Sequence, residues 1–291
     1  MKARLQIMDH LADRRLAEAM TTHLIIGGSG KTGRRVLDRL TGRGLEIRAL
    51  SRPEFDWEDP STWSSVEGRY DAAYLTFAPD VAFPGAPEAV AEVARRVLAS
   101  GTKRLVLLSG RGEPEAQRAE RLVADLAADH GAEWAVVRCA FFMQNFSEGF
   151  VAGALAAGHL AFPADAVREP FLDVDDVADV VTGLMVGEIP AGGVHELTGP
   201  RLLTFAEATA AIAEAAGRPI SYSAITLPEF VTGLIDAGLP QDDAHGLGEL
   251  FALILDGHNE QLTDGVRRAL GRGPRDITEY AGSAAGSGYW S

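Results

Sequence analysis

From Thr21 to about residue 185, short apolar runs alternate with longer stretches in which apolar residues recur every three or four positions. The first kind of pattern predicts strands and the second predicts helices, so the alternation predicts β-α-β units around a parallel sheet. Strands are expected over residues 23–27, 45–50, 72–77, 103–108 and 134–138. Helices are expected over residues 31–40, 87–99, 115–130 and 174–186, the first with Val36, Leu37 and Leu40 on one face. Residues 103–108 (KRLVLL) are apolar almost throughout, as in a strand covered on both faces. After residue 155 the rhythm breaks into short segments, and it regains a core pattern at Phe171-Leu172-Asp173. From Glu196 onward it is mainly helical, with turns at Gly199-Pro200, Gly217 to Pro219, Gly238 to Pro240 and Gly271 to Pro274. The fold class expected is α/β: a Rossmann-type, doubly wound parallel sheet with a smaller, mainly helical C-terminal lobe on the substrate side. The dinucleotide-binding part spans residues 21–155, its sheet completed by about 171–197. The lobe takes residues 156–170 and 198–282. Residues 1–20 form an N-terminal extension, either an amphipathic docking helix or a disordered leader, and residues 283–291 a tail that frays.

With 291 residues, 46% of them apolar, the chain can bury a sizeable core, and neither a disordered nor a collagen-like protein fits. The single cysteine, Cys139, excludes a disulfide framework and any multi-cysteine metal site and suits a reducing cytoplasm. No uninterrupted apolar run approaches membrane-spanning length, and residues 1–20 interleave charge with apolar positions, so neither a span nor a secretory leader is expected. The formal net charge of −14 repels phosphate backbones and argues against a nucleic-acid partner.

The segment Gly27-Gly28-Ser29-Gly30-Lys31-Thr32-Gly33 lies between an apolar strand and an amphipathic helix. There, glycines let a pyrophosphate approach backbone N–H groups while the helix N-terminus adds partial positive charge. Both G-x-G-x-x-G and G-x-x-G-x-x-G spacings are present. A triphosphate loop ending in Gly30-Lys31-Thr32 would need glycine at position 25, which is Ile25, so a dinucleotide is preferred. At the end of the second strand, Ser51-Arg52-Pro53 offers a hydroxyl and a guanidinium where NAD-type sites carry a carboxylate; NADP(H) is therefore favoured over NAD(H), with Glu54 as the residual NAD-type candidate.

None of the five tyrosines has a lysine four residues on, and no lysine follows Lys103, so the Tyr-x-x-x-Lys proton-donor pair of conventional short-chain dehydrogenases is missing. The glycine loop, Ile47 to Arg52, Phe141-Phe142-Met143-Gln144-Asn145-Phe146, Phe171 to Ala178 and Glu196 to Pro200 together resemble the NmrA-like branch of the atypical short-chain dehydrogenases. That group includes type 2 NAD(P)H:quinone oxidoreductases, azoreductase-like proteins, ketoreductases of antibiotic pathways and redox-sensing regulators. By that resemblance the cofactor contacts fall on Gly27, Ser29, Gly30, Lys31, Thr32, Gly33, Ser51, Arg52, Asp56, Trp57, Thr76, Phe77, Ala78, Ser109, Gly110, Cys139 and Phe141. The chain departs from the pattern at Cys139, where many relatives have proline, and at Gly112 and Ala116, where extended relatives place tyrosine and lysine.

Hydride transfer without that pair remains feasible where binding presents nicotinamide to an electrophilic acceptor. Ser109, Arg111, Gln144 and Asn145 are the groups expected to orient or polarise the acceptor oxygen, with Phe142 and Phe146 walling the substrate pocket. Each has a plainer reading: Ser109 satisfying its loop, Arg111 paired with Glu113 or Glu115, Gln144 and Asn145 capping the following helix, and the phenylalanines in the core. Asp173, Asp175 and Asp176 read as helix-heading carboxylates rather than a metal site, and no metal is expected. The function expected is NAD(P)H-dependent reduction of a quinone or polycyclic ketone in the cytoplasm, tailoring an aromatic natural product, with a homodimer or a pathway enzyme as partner. A non-enzymatic dinucleotide redox sensor and a helper protein of an oxygenase are the alternatives.

Overall fold

A computed structural model describes residues 22–290; the expected extension over residues 1–20 lies outside the described residues. The first half of the chain alternates β1 (Thr22–Ile26), α1 (Lys31–Gly42), β2 (Glu46–Leu50), β3 (Ala72–Leu75), α2 (Ala86–Ala99), β4 (Arg104–Gly110), α3 (Pro114–Asp129) and β5 (Glu133–Cys139). Two short helices, α4 (Asn145–Glu148) and α5 (Ala152–Ala156), and the strands β6 (His159–Phe162) and β7 (Arg168–Glu169) lead into the lobe. The chain returns through α6 (Val174–Val186) and β8 (Gly193–Leu197). Among the described residues, β2-β1-β3-β4-β5-β8 form one parallel sheet in that spatial order. The order reverses between β1 and β3, and in open α/β sheets such a switch point opens a crevice at the carboxyl ends of the strands.

Helices cover both faces of this sheet. Leu24, Ile26, Leu75, Leu105 and Leu107 turn toward α2 and α3, whereas Ile25, Tyr74 and Val106 turn toward α1 and α6. Successive residues of β4 are thus buried on opposite sides, which is why its sequence is apolar throughout. This strand runs two residues past the expected span, so Ser109 and Gly110 belong to its end rather than to a loop. The polar stretch after β2 contains a 3₁₀ turn, Pro60–Val66, capped by the Asp59 carboxylate and anchored by buried Trp63 and Val66.

The lobe holds β9 (Leu203–Thr204), α7 (Phe205–Ala216), β10 (Ser221–Ala224), α8 (Leu227–Asp236), α9 (Gln241–Ile254), α10 (Gly265–Leu270) and α11 (Ile277–Gly286). Capping boxes start α7 (Thr204 with Glu207) and α8 (Thr226 with Glu229). Two small sheets, β10 with β6 and β7 with β9, tie the lobe's halves together. Its core is aromatic, with Phe146, Phe162, Phe171 and Phe205 all buried and in mutual ring contact. Where the sequence suggested a fraying tail, α11 continues to Gly286, Trp290 is 3% exposed, and its Nε1 donates to the Phe146 carbonyl at 2.7 Å. A large apolar ring with an acceptor for its one N–H is what holds the small, polar end in place.

Candidate functional site

Gly27 follows β1 with φ of +83°, a conformation that favours glycine, and a Cβ there would overlap the Thr76 hydroxyl. Thr76 Oγ1 in turn donates to the Ile26 carbonyl at 2.9 Å, fastening the ends of β1 and β3 at the switch point. Gly33 packs so closely on the Gly27 carbonyl that a side chain would collide with backbone. The turn closes with Gly30 N–H donating to Gly27 O at 2.9 Å, and α1 begins at Lys31 with no side-chain cap and no acidic residue in its first turn. The free amides and partial positive charge of that helix end suit an anion, and the exposed Ser29 and Gly30 leave room for one. Thr32 does not reach this space, because its side chain is buried beside Tyr74 under the turn.

At the end of β2, Arg52 is exposed and makes no ion pair among the described residues, and Ser51 beside it is half-buried with no bond from its hydroxyl to another described side chain. The neighbouring Asp56 and Trp57 are mainly structural. Asp56 Oδ1 accepts from Glu58 N–H at 3.1 Å. Trp57 is wedged between Phe55 and Phe77 and donates from Nε1 to the Thr76 carbonyl at 2.9 Å.

Beyond the glycine turn, the crevice deepens into a cavity of about 420 Å³ between the sheet edge and the lobe. Lys31, Phe77, Gly110, Cys139, Phe141, Phe142 and Asn145 line it. Lys31 Nζ donates to Asn145 Oδ1 at 2.9 Å, and burial lowers the lysine pKa from its ordinary value against the opposing pull of Glu148. Cys139 is buried, which pushes its thiol pKa well up and leaves it an inert wall.

Four of the residues singled out in the sequence are held by other groups, Ser109 and Arg111 among them at the cavity wall. Ser109 is buried, and its hydroxyl donates to Glu120 Oε1 at 2.6 Å; Glu120 also takes a two-pronged pair from Arg138. At the two positions where the resemblance puts tyrosine and lysine stand Gly112, just before α3, and the buried Ala116 on it. Arg111 is a clamp rather than a free cation: Nε donates to Glu196 at 2.7 Å and a terminal nitrogen donates to the Asn259 carbonyl at 2.6 Å, joining β4 to the lobe. Gln144 caps a distant helix, accepting from Val174 N–H and donating to Asp173, both at 2.8 Å, while Asp173 accepts from Asp175 N–H. Phe146 lies in the lobe core, 1% exposed, and does not line the cavity. Asp175 and Asp176 bind arginines: Asp175 pairs with Arg39 at 2.8 Å, and the fully buried Asp176 pairs with Arg272 at 2.7 Å and with Arg275.

Sequence reasoning missed half the cavity. Phe83 comes from the loop after β3, Phe150 from the segment after α4, and Leu247, Leu250, Phe251 and Ile254 from one face of α9. It also missed three buried or half-buried carboxyl groups, Asp80, Glu113 and Glu169. The three- and four-residue apolar spacing along α9 was the one available signal, and it marks any buried helix face equally well.

The reversed strand order, the glycine turn at the switch point and the cleft above it define a protein of the Rossmann-type class. Over 288 residues the chain is 31% identical to the uncharacterized oxidoreductase YesF of Bacillus subtilis, covering 92% of this chain and 96% of that one. It belongs to that oxidoreductase family. It is also 26% identical over 281 residues to the NAD(P)H azoreductase of Xenophilus azovorans, covering 89% of this chain and 96% of the other. In fold it resembles the triphenylmethane reductase of a Citrobacter species, solved in complex with NADP(H), with a TM-score of 0.72 at 14% identity over 91% of this chain and all of that one. No family model matches the chain.

Proposed function

We propose that the protein is an NADP(H)-dependent reductase of the NmrA-like branch, acting on a quinone or a polycyclic ketone as a tailoring step on an aromatic natural product in the cytoplasm. The observation that carries this reading is the continuity of two sites. Lys31 is both the first residue of the uncapped helix at the glycine turn and a wall of the aromatic cavity. An anion-binding turn that opens into a cavity walled by Phe77, Phe83, Phe141, Phe142, Phe150 and Phe251 suits a dinucleotide beside a planar apolar acceptor. Arg52, unpaired at the end of β2, supports the 2′-phosphorylated cofactor. When bound, the reduced nicotinamide supplies the hydride.

The chain's own residues then bind and orient. The first-turn amides and Lys31 hold the pyrophosphate, Asn145 fixes the lysine, and the phenylalanines exclude water and align the acceptor. Steady-state oxidation of NADPH against a panel of quinones, polycyclic ketones and azo dyes tests the reading. Turnover with at least one quinone or ketone is expected; NADPH binding without turnover on any acceptor overturns the reductase in favour of a dinucleotide sensor.

A further inference from the structure

We propose that Glu113 is the proton donor of this reaction and that Asp80 relays its proton from solvent. The inference deepens the reductase reading and rests on it. Glu113 precedes α3 at its N-cap position, where an acidic side chain ordinarily bonds the first-turn amides. It makes no capping bond. Its carboxyl instead folds back over Gly110, where a Cβ would collide with it, and lines the cavity at the end of β4. The residue is 4% exposed, and Oε2 is buried without a hydrogen-bond partner among the described residues. A buried, unsatisfied carboxyl oxygen is costly, and such groups cluster where chemistry uses them.

The charges around Glu113 favour its neutral form. Asp80, on the loop after β3, is half-buried and faces it, and burial raises its own carboxyl from the ordinary value against the lowering influence of the Ala82 amide and of Glu113. Cys139 at the end of β5 and Glu120 on α3 add no positive charge. Arg111, on the same loop, is committed to Glu196 and Asn259. From the lobe, Glu169 shares the cavity and His258, paired with Asp256, borders Gly112. Burial first, and the Asp80 charge second, push the Glu113 carboxyl up to about 9, so it carries its proton at neutral pH. Ser109 and Glu120 cannot serve, because the hydroxyl is bound to the carboxylate and the carboxylate to Arg138.

The balance is simple. A ketone or quinone takes a hydride, with its two electrons, at one atom and a proton at oxygen; Glu113 gives that proton and becomes a carboxylate. Asp80 passes a replacement from water, and acceptor plus hydride plus proton equals the reduced product. The missing tyrosine and lysine are thus replaced by the carboxyl pair of Glu113 and Asp80.

The test compares wild type, Glu113→Gln and Asp80→Asn with two acceptors: a ketone or quinone, which needs a proton, and a triarylmethane carbocation dye, which becomes product on hydride addition alone. Glu113→Gln is expected to lower kcat on the proton-requiring acceptor by about 10²-fold or more, at least ten times its effect on the dye. Cofactor Kd should stay within twofold. Asp80→Asn removes a negative neighbour, so the alkaline limb of the ketone pH profile should move to lower pH. Independently of turnover, infrared difference spectra of wild type minus Glu113→Gln should show a carboxylic-acid carbonyl band at pH 7 that disappears above pH 9. If wild type reduces the ketone and Glu113→Gln does so within threefold, or the band is absent at pH 7, the donor role falls while the reductase reading stands. If wild type reduces nothing, the reductase reading falls and takes the donor role with it.

Discussion

Lys31 Nζ donates to Asn145 Oδ1 at 2.9 Å, joining the first turn of α1 to the segment after β5, 114 residues away. The bond aims a half-buried ammonium along the cleft, and its position is fixed from behind, since neighbouring Gln144 is locked to Asp173 and the Val174 amide. Lys31→Met should weaken NADPH binding by about tenfold, the worth of one charge-assisted contact, and Asn145→Ala should cost less because the lysine keeps its charge. Isothermal titration of both variants checks this; unchanged affinity in Lys31→Met removes the lysine from the cofactor site.

Arg52 stands exposed at the end of β2, with no ion pair among the described residues. Arg52→Ala should lower NADPH affinity about tenfold or more and leave NADH affinity nearly untouched, because only the former carries a 2′-phosphate. Competitive titration of the two nucleotides measures the ratio, and equal losses would refute a phosphate role.

Gly33 has backbone, not a movable side chain, where a Cβ would go. Gly33→Ala must displace the glycine turn from α1, at about 1–3 kcal/mol of stability, and should weaken dinucleotide binding as well. A thermal melt and a binding titration on the same preparation check both losses.

Trp290 is buried against the lobe, bonded through Nε1 to Phe146, and its carbonyl accepts from Arg218 Nε at 2.6 Å. Trp290→Ala should destabilise the protein by about 3 kcal/mol, read by denaturant unfolding. A loss under about 0.5 kcal/mol would mean that the end of the chain contributes little to the fold.

Glu169 is 3% exposed with an unpartnered Oε1, and burial raises its carboxyl to about 8 against the lowering influence of Arg111. A carboxyl whose folded pKa is raised contributes its full share of stability below the unfolded value near 4.5 and loses it as pH rises through 8. Glu169→Gln cannot ionise, so its stability relative to wild type should improve by about 2–4 kcal/mol between pH 5 and pH 9. Melting curves at both values test the sign; a constant difference contradicts it.

The alternating sheet, its glycine turn and the absence of a Tyr-x-x-x-Lys pair were legible in the sequence because each depends on neighbours close in the chain. Residues 174–186 were read with both ends right because Asp173 and Gly187 cap the helix locally. Ser109 and Arg111 line the cavity while Gln144 and Phe146 do not, and all four are engaged by groups that the sequence pattern did not indicate. Their partners, Glu120, Glu196 with Asn259, Asp173 with Val174, and the lobe core, lie 11 to 148 residues away, and periodicity says nothing about such pairings. Glu113 illustrates the same division. The sequence offered it only as a surface partner for Arg111, ahead of the helix expected from residue 115, and only the packing of Gly110, Asp80 and the lobe turned it inward to a site where water no longer stabilises its charge. Local propensity determined the elements and the anion-binding turn, while long-range packing decided which side chains remain free to act, because burial and pairing are properties of the assembled fold.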